Sequence, residues 1–155
     1  ARSGQSTAGA THLIKVAVEA ALGKRSHVGV YGTDYETPDG TGVRDYIHVV
    51  DLARAHVAAL ARLSAGAGAE PFNIGTGRGY SVREMLAAFS SAVGRDLPSV
   101  IFPRRAGDIA EMRADCSKAA TVLGWRAEFG LDAMARDLWR WQRQNPEGYA
   151  GGGRS

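Results

Sequence analysis

Two arginines stand in loops suited to presenting a charge. Arg44 follows "TDYETPDGTGV" (33–43), a run crowded with the turn formers Asp34, Pro38, Asp39, Gly40 and Gly42, and precedes the aromatic and β-branched run "DYIHV". Arg105 lies in "PRRAG" (103–107). A guanidinium presented by a Pro/Gly-containing loop can fork two donors onto one phosphate. Asp108, just beyond, can accept from ribose hydroxyls, and Tyr31, closing a β-rich run, offers its ring to a base. A helix opening near Thr11 adds the unpaired amides of its first turn, a cradle for a diphosphate. Singly, each residue reads better as a solvated loop charge or a core aromatic. The residues alone support an α/β domain with an anionic-ligand site and nothing sharper.

Other chemistries are poorly supplied. The tyrosines at 31, 35, 46, 80 and 149 carry Tyr, Asp, Val, Glu and Gly four positions on, so the Tyr base tuned by a Lys in Y-x-x-x-K is absent. His12, His27, His48 and His56 share no ligand spacing with one another or with Cys116. His48 and His56 therefore read as packed, hydrogen-bonded residues, and Cys116 as a structural thiol at a helix start. No G-x-S-x-G elbow exposes a serine. "NIGTGRGYS" places glycines at 75, 77 and 79, but the dinucleotide fingerprint G-x-G-x-x-G needs its third glycine at position 80, which is Tyr. That stretch reads as a tight strand-to-helix turn.

The elements that must position these residues alternate. A helix capped by Thr11 runs to about Gly23, followed by a strand at "HVGVYG" (27–32) and a second at "DYIHV" (45–49). Asp51 caps the next helix, whose apolar stripe is Leu52, Ala55, Ala59 and Leu63. "FNI" (72–74) reads as a short strand. Ser81 and Glu84 then stand at capping-box spacing before Val82, Met85, Leu86, Phe89 and Val93, a helical repeat. "SVIF" (99–102) is a strand, a loop spans 103–115, and a short helix covers 117–123. The last helix runs over 131–144 with Leu131, Met134, Ala135, Leu138 and Trp141 inward, and Pro146 ends it. Strands separated by helices predict α/β packing.

Bulk properties bound the reading. The 155 residues suit one medium domain, with ordinary hydrophobic (45%) and charged (23%) content. Nineteen basic against 16 acidic residues give +3, scattered without a block of like charge, so no nucleic-acid partner is expected. No apolar run approaches the roughly 18 residues that span a bilayer, so no membrane partner is expected. The single Cys116 allows no intramolecular disulfide, which fits a reducing cytoplasm.

"YGTDYETPDGTGVRDYIHVVDLA", "FNIGTGRGYSVREML", "PRRAGD" and "WQRQNPEGY", in this order and spacing, resemble the C-terminal half of the UDP-glucose 4-epimerases, a family of extended short-chain dehydrogenases/reductases. The resemblance covers about residues 11 to 149. "GTDYETPDGTG" and the closing "WQ…NPEGY" are its most specific parts, since related dehydratases and decarboxylases carry strings similar to "RDYIHV". It implies an α/β fold that is the substrate-binding portion of such an enzyme, without most of the Rossmann sheet. The implied division is a cut or flexible segment at 1–10, a UDP-sugar-binding domain at 11–149 and a tail at 150–155.

By position, the resemblance implies that His12 and Leu13 open a helix whose amides meet the diphosphate, although one branch of the family has Asn where this chain has His12. It implies that Gly29, Val30 and Tyr31 line the uracil, that Val82 backs the ring, and that Arg44 and Arg105 bind the diphosphate and Asp108 the ribose. Met112 matches a sugar-pocket position whose bulk affects acceptance of N-acetylated sugars, and its intermediate size points neither way. The implied reaction interconverts UDP-glucose and UDP-galactose through a 4-keto sugar, with NAD and a Y-x-x-x-K tyrosine. Those groups belong to an N-terminal half that is the expected partner of this chain, in a parent enzyme expected to be a cytoplasmic homodimer. The chain alone is expected to bind no NAD, to be inactive, and to expose apolar faces. Two alternatives stay open: part of another NAD-dependent sugar-nucleotide enzyme (a 4,6-dehydratase or decarboxylase), and a standalone UDP-sugar-binding module.

Overall fold

The computed structural model describes residues 4, 9 and 11–149; the rest of the expected N-terminal segment and the expected tail at 150–155 lie outside the described residues. In chain order the elements are α1 (Leu13–Ala21), β1 (Val28–Tyr31), β2 (Val43–Arg44), α2 (Val49–Ser64), β3 (Tyr80–Ser81), α3 (Val82–Val93), β4 (Ser99–Phe102), β5 (Glu111–Met112), α4 (Ser117–Val122) and α5 (Leu131–Gln144). The mixed α/β class expected from the alternating pattern is what forms, with small sheets only. β1 and β4 pair in parallel, and a three-stranded sheet has the order β3-β2-β5, antiparallel on one side of β2 and parallel on the other.

The main core lies where α1, α3 and α5 meet. Ala17, Val18, Ala20 and Ala21 give α1 a small-residue face, so Met85 and Phe89 of α3 and Leu131 and Ala135 of α5 can approach it closely. Met85 and Phe89 are fully buried, which contributes about 1.5–3 kcal/mol each. α3 begins as its sequence requires. The Ser81 hydroxyl accepts from the Glu84 amide (3.0 Å), and the Glu84 carboxylate accepts from the Ser81 amide (2.7 Å). Gly94, at φ +83°, closes the helix in a conformation that costs a side-chain-bearing residue more. α5 starts at Leu131 and ends at Gln144 as expected, with Leu138 only half-buried. A second cluster joins Ala55 of α2, Ala119 of α4 and Trp125.

Four local expectations are corrected. "DYIHV" forms no strand; the strand is the preceding pair Val43–Arg44. The reason is that 45–48 spend their side chains in several directions. Asp45 binds neighbouring loops, Tyr46 packs against the main core, Ile47 joins the second cluster, and His48 caps α2. "FNI" is irregular too: Phe72 and Ile74 pack on the second cluster without a strand partner among the described residues. The N-cap of α1 is His12 rather than Thr11.

Asp51 is not a cap. It sits in the first turn of α2, fully buried, and its Oδ2 accepts from the amides of Glu128 (3.0 Å) and Phe129 (2.9 Å). The cap is His48, whose Nδ1 accepts from the Val50 amide (3.1 Å) while Nε2 faces Asp137 at 3.3 Å. The expected stripe of α2 is also shifted. Ala55 is buried, but Leu63 is exposed, as are Val49, Val50, Val57 and Leu60. An unpartnered apolar face of this kind was expected from the resemblance. None of the described helices is long and apolar enough to cross a membrane.

Candidate functional site

A cavity of about 610 Å³ opens between the start of α1, β1, the loop 33–42, β2 and the loop after β4. Of the residues singled out from the sequence, it brings together His12, Leu13, Gly29, Tyr31, Arg44, Val82, Arg105 and Asp108. Thr11, Val16, Arg25, His27, Val28, Tyr35, Gly42 and Tyr46 complete the wall, and sequence reasoning had given none of these a site role beyond Thr11. Val30 and Met112 are not in the wall. Side chains alternate along β1, so Val30 turns inward and is 4% exposed. Met112, the register partner of Arg44 on β5, points to solvent.

Each wall residue has a local cause. His12 and Leu13 bring the first turn of α1 into the cavity wall, with the positive end of the helix dipole toward it. Gly29 lets the Tyr31 ring lie back over the strand, since a Cβ there would come within 2.9 Å of that ring. The Tyr31 ring stacks on Phe102 (5.4 Å between centroids) on one side, and the Arg105 guanidinium lies over it at 4.6 Å. Arg105 Nε also donates to Asp108 Oδ2 at 2.9 Å. The expected diphosphate and ribose ligands are thus already paired with each other and with the aromatic wall.

Arg44 differs from Arg105. No carboxylate among the described residues comes within ion-pair distance of it, and its Nη1 donates to the carbonyl of its own neighbour Val43 (2.8 Å). It is the cavity cation whose donors are least committed. Its charge also reaches Tyr46, whose phenol burial pushes above its ordinary pKa while Arg44 pulls the other way.

Asp45, the next residue, is a hub that the sequence did not reveal. Its Oδ1 accepts from the amide (2.9 Å) and hydroxyl (2.6 Å) of Thr76, and its Oδ2 from the amides of Gly77 (2.9 Å) and Ala114 (3.3 Å). The glycine run "GTGRG" therefore wraps an internal carboxylate. Gly75 is required by that closeness: a Cβ there would sit 2.5 Å from Asp45 Oδ2. The amides of Thr76, Gly77 and Arg78, which a dinucleotide loop would turn toward a phosphate, are bonded within the fold, which agrees with the reading of this stretch as a turn. Cys116, half-buried beside this loop, has its thiol pKa pushed up by burial, in keeping with a structural thiol.

The profile of the NAD dependent epimerase/dehydratase family matches residues 2–75. Human UDP-glucose 4-epimerase is 50% identical over 138 residues, covering 89% of this chain. Over most of its length the chain is similar to the epimerases of this family. A crystal structure of UDP-glucose 4-epimerase from Bifidobacterium longum, in complex with NAD+ and UDP, superposes with a TM-score of 0.82 at 49% identity over 89% of the chain. Another UDP-glucose 4-epimerase crystal structure reaches a TM-score of 0.92 at 38% identity over 96% of the chain. The chain spans 40% of the human relative, 41% of the Bifidobacterium structure and 45% of the other.

Proposed function

We propose that this chain is the UDP-sugar-binding part of a UDP-glucose 4-epimerase, and that the cavity at the start of α1 holds the nucleotide. The observation that carries this reading is Arg44, a cavity-wall guanidinium without a carboxylate partner among the described residues, which shares that wall with the N-terminal turn of α1. On this reading Arg44 and Arg105 hold the diphosphate and Asp108 accepts from the ribose. Gly29 and Tyr31 flank the uracil with Val82 behind it, and the first turn of α1 at His12 and Leu13 adds amide donors. Ligand entry exchanges the Arg105–Asp108 pair and the Arg105–Tyr31 stack for contacts to phosphate, ribose and base. Val30 then serves through its backbone, and Met112, outside the cavity wall, is given no ligand contact.

NAD does not fit the residues present. The chain has no G-x-G-x-x-G and no Y-x-x-x-K, and Asp45 takes the Thr76 and Gly77 amides of its glycine run. We assign no step of the redox chemistry to this chain. Its part in interconverting UDP-glucose and UDP-galactose is to bind the nucleotide and set the position of the sugar. Calorimetry of the chain with UDP is expected to show binding, and assays of the chain with NAD and UDP-glucose no turnover. No heat at millimolar UDP would refute the cavity assignment, and turnover would refute the division of labour.

The exposed face of α2 bears on the same reading. Val49, Val50, Val57, Leu60 and Leu63 fall on one side of that helix, with Val57 66% and Leu60 62% exposed. We assign this face to contact with the part of the family's length that the chain does not span. The isolated chain is accordingly expected to self-associate, and Val57→Lys with Leu60→Lys to reduce that association without lowering the melting temperature by more than about 2 °C. Light scattering alongside a thermal melt measures both. A monodisperse unmutated chain at high concentration would count against the assignment.

A further inference from the structure

We infer that Asp39 is a positioning residue for Arg44, tying the loop 33–42 to the N-terminus of α3 so that β2 presents the guanidinium to the cavity. This rests on the cavity being the nucleotide site. Asp39 Oδ1 accepts from the Thr41 amide (2.9 Å) and hydroxyl (2.6 Å), while Oδ2 accepts a short hydrogen bond from the Ser81 hydroxyl. Ser81 is at once the cap of α3 and the register partner of Val43. One carboxylate thus joins the loop before Arg44 to the strand beside it, 42 residues away in sequence.

The neighbouring geometry explains why that tie matters for Arg44 in particular. The tip of Arg44 has no carboxylate among the described residues to hold it and lies back over Gly42, where a Cβ would stand 3.5 Å from Nη1. Its location is therefore set by the backbone of 42–44. That backbone is fixed by the Val82 amide donating to the Gly42 carbonyl (3.2 Å) and by pairing with β3 and β5. On the other side Thr41 is fully buried, and Thr37 Oγ1 donates to the Thr41 carbonyl at 2.7 Å. Burial pushes the Asp39 carboxyl up, but hydrogen bonds from Ser81 and Thr41, with the charge of Arg83, leave it below its ordinary value. It is therefore a charged acceptor at neutral pH, which an amide does not reproduce.

The test is a double-mutant cycle read by calorimetry with two probes, UDP and uridine. Asp39→Asn is expected to weaken UDP about tenfold and uridine less than twofold, because only the diphosphate meets Arg44. In an Arg44→Ala background the same substitution is expected to change UDP affinity less than twofold. A general structural role would weaken both probes alike and persist without Arg44, and either result overturns the inference. If Asp39→Asn does not fold, Ser81→Ala cuts the same tie from the α3 side and must give the same split between UDP and uridine. Failure of the unmutated chain to bind UDP refutes the cavity assignment itself, whereas binding without Asp39–Arg44 coupling refutes the positioning role alone.

Discussion

Arg44→Ala is expected to weaken UDP binding about a hundredfold while moving the melting temperature of the chain by less than about 2 °C. Hydrogen bonds to a charged group contribute about 1.5–3 kcal/mol, and a forked pair to a phosphate reaches the about 2.7 kcal/mol that a hundredfold requires. The small effect on stability follows from the free structure, where the guanidinium bonds only the adjacent Val43 carbonyl and pairs with no acid among the described residues. Arg44→Lys should recover only part of the affinity, since an ammonium cannot present two parallel donors. Binding curves for UDP, read beside thermal melts, decide the matter. A large fall in stability would make Arg44 a fold residue and remove the main support for the nucleotide site. On the proposed reading, NAD binding by a full-length epimerase should be unchanged, because Arg44 lies in the wall of the cavity assigned to UDP.

Arg105 should behave differently, and the contrast shows how free and ligand-bound states compete. Its guanidinium is already occupied by Asp108 and by the Tyr31 ring. On the proposed reading a phosphate would displace those contacts, so the net gain per donor should be smaller than at Arg44. Equal chemistry at two positions is thus expected to give unequal binding, the difference lying in what each side chain gives up.

What the sequence made legible follows the range of the interactions involved. The capping box of α3, the apolar stripe of α5 and the β-rich run of β4 are written in residues within a turn or two of each other, and each forms where expected. "DYIHV" and "FNI" have strand composition but no strand, because a strand also needs a neighbour to pair with. The neighbours of β2 are Tyr80–Ser81 and Glu111–Met112, pairs too short to leave a periodic signal. The cavity wall was reachable residue by residue as possible anion ligands, but only the family resemblance joined His12, Gly29, Arg44, Val82 and Arg105 into one site. The Asp45 hub left no trace, since its donors lie 31, 32 and 69 residues away.

That hub sets up the second large effect, in the residue next to Arg44. Asp45→Ala leaves the amides of Thr76, Gly77 and Ala114 and the Thr76 hydroxyl without their acceptor. Asp45 is only partly buried, so water can reach some of these donors, and the cost is about 3 kcal/mol rather than the full sum of four charged hydrogen bonds. At about 2–4 °C per kcal/mol for a chain of this size, the melting temperature should fall by about 6–12 °C. Asp45→Asn should do nearly as badly, because an amide places its NH2 against at least one backbone donor. Gly75→Ala attacks the same contact from the other side and should be comparably damaging, since its methyl would meet both Asp45 Oδ2 (2.5 Å) and the Ala114 Cβ (2.8 Å). Circular-dichroism melts of the three variants measure this directly. An unchanged melting temperature in Asp45→Ala would mean that the loops at 75–77 and 113–114 are held by their own turns. Adjacent residues are thus expected to separate cleanly: Arg44 governs binding with little effect on folding, and Asp45 governs folding because its carboxylate is turned into the chain.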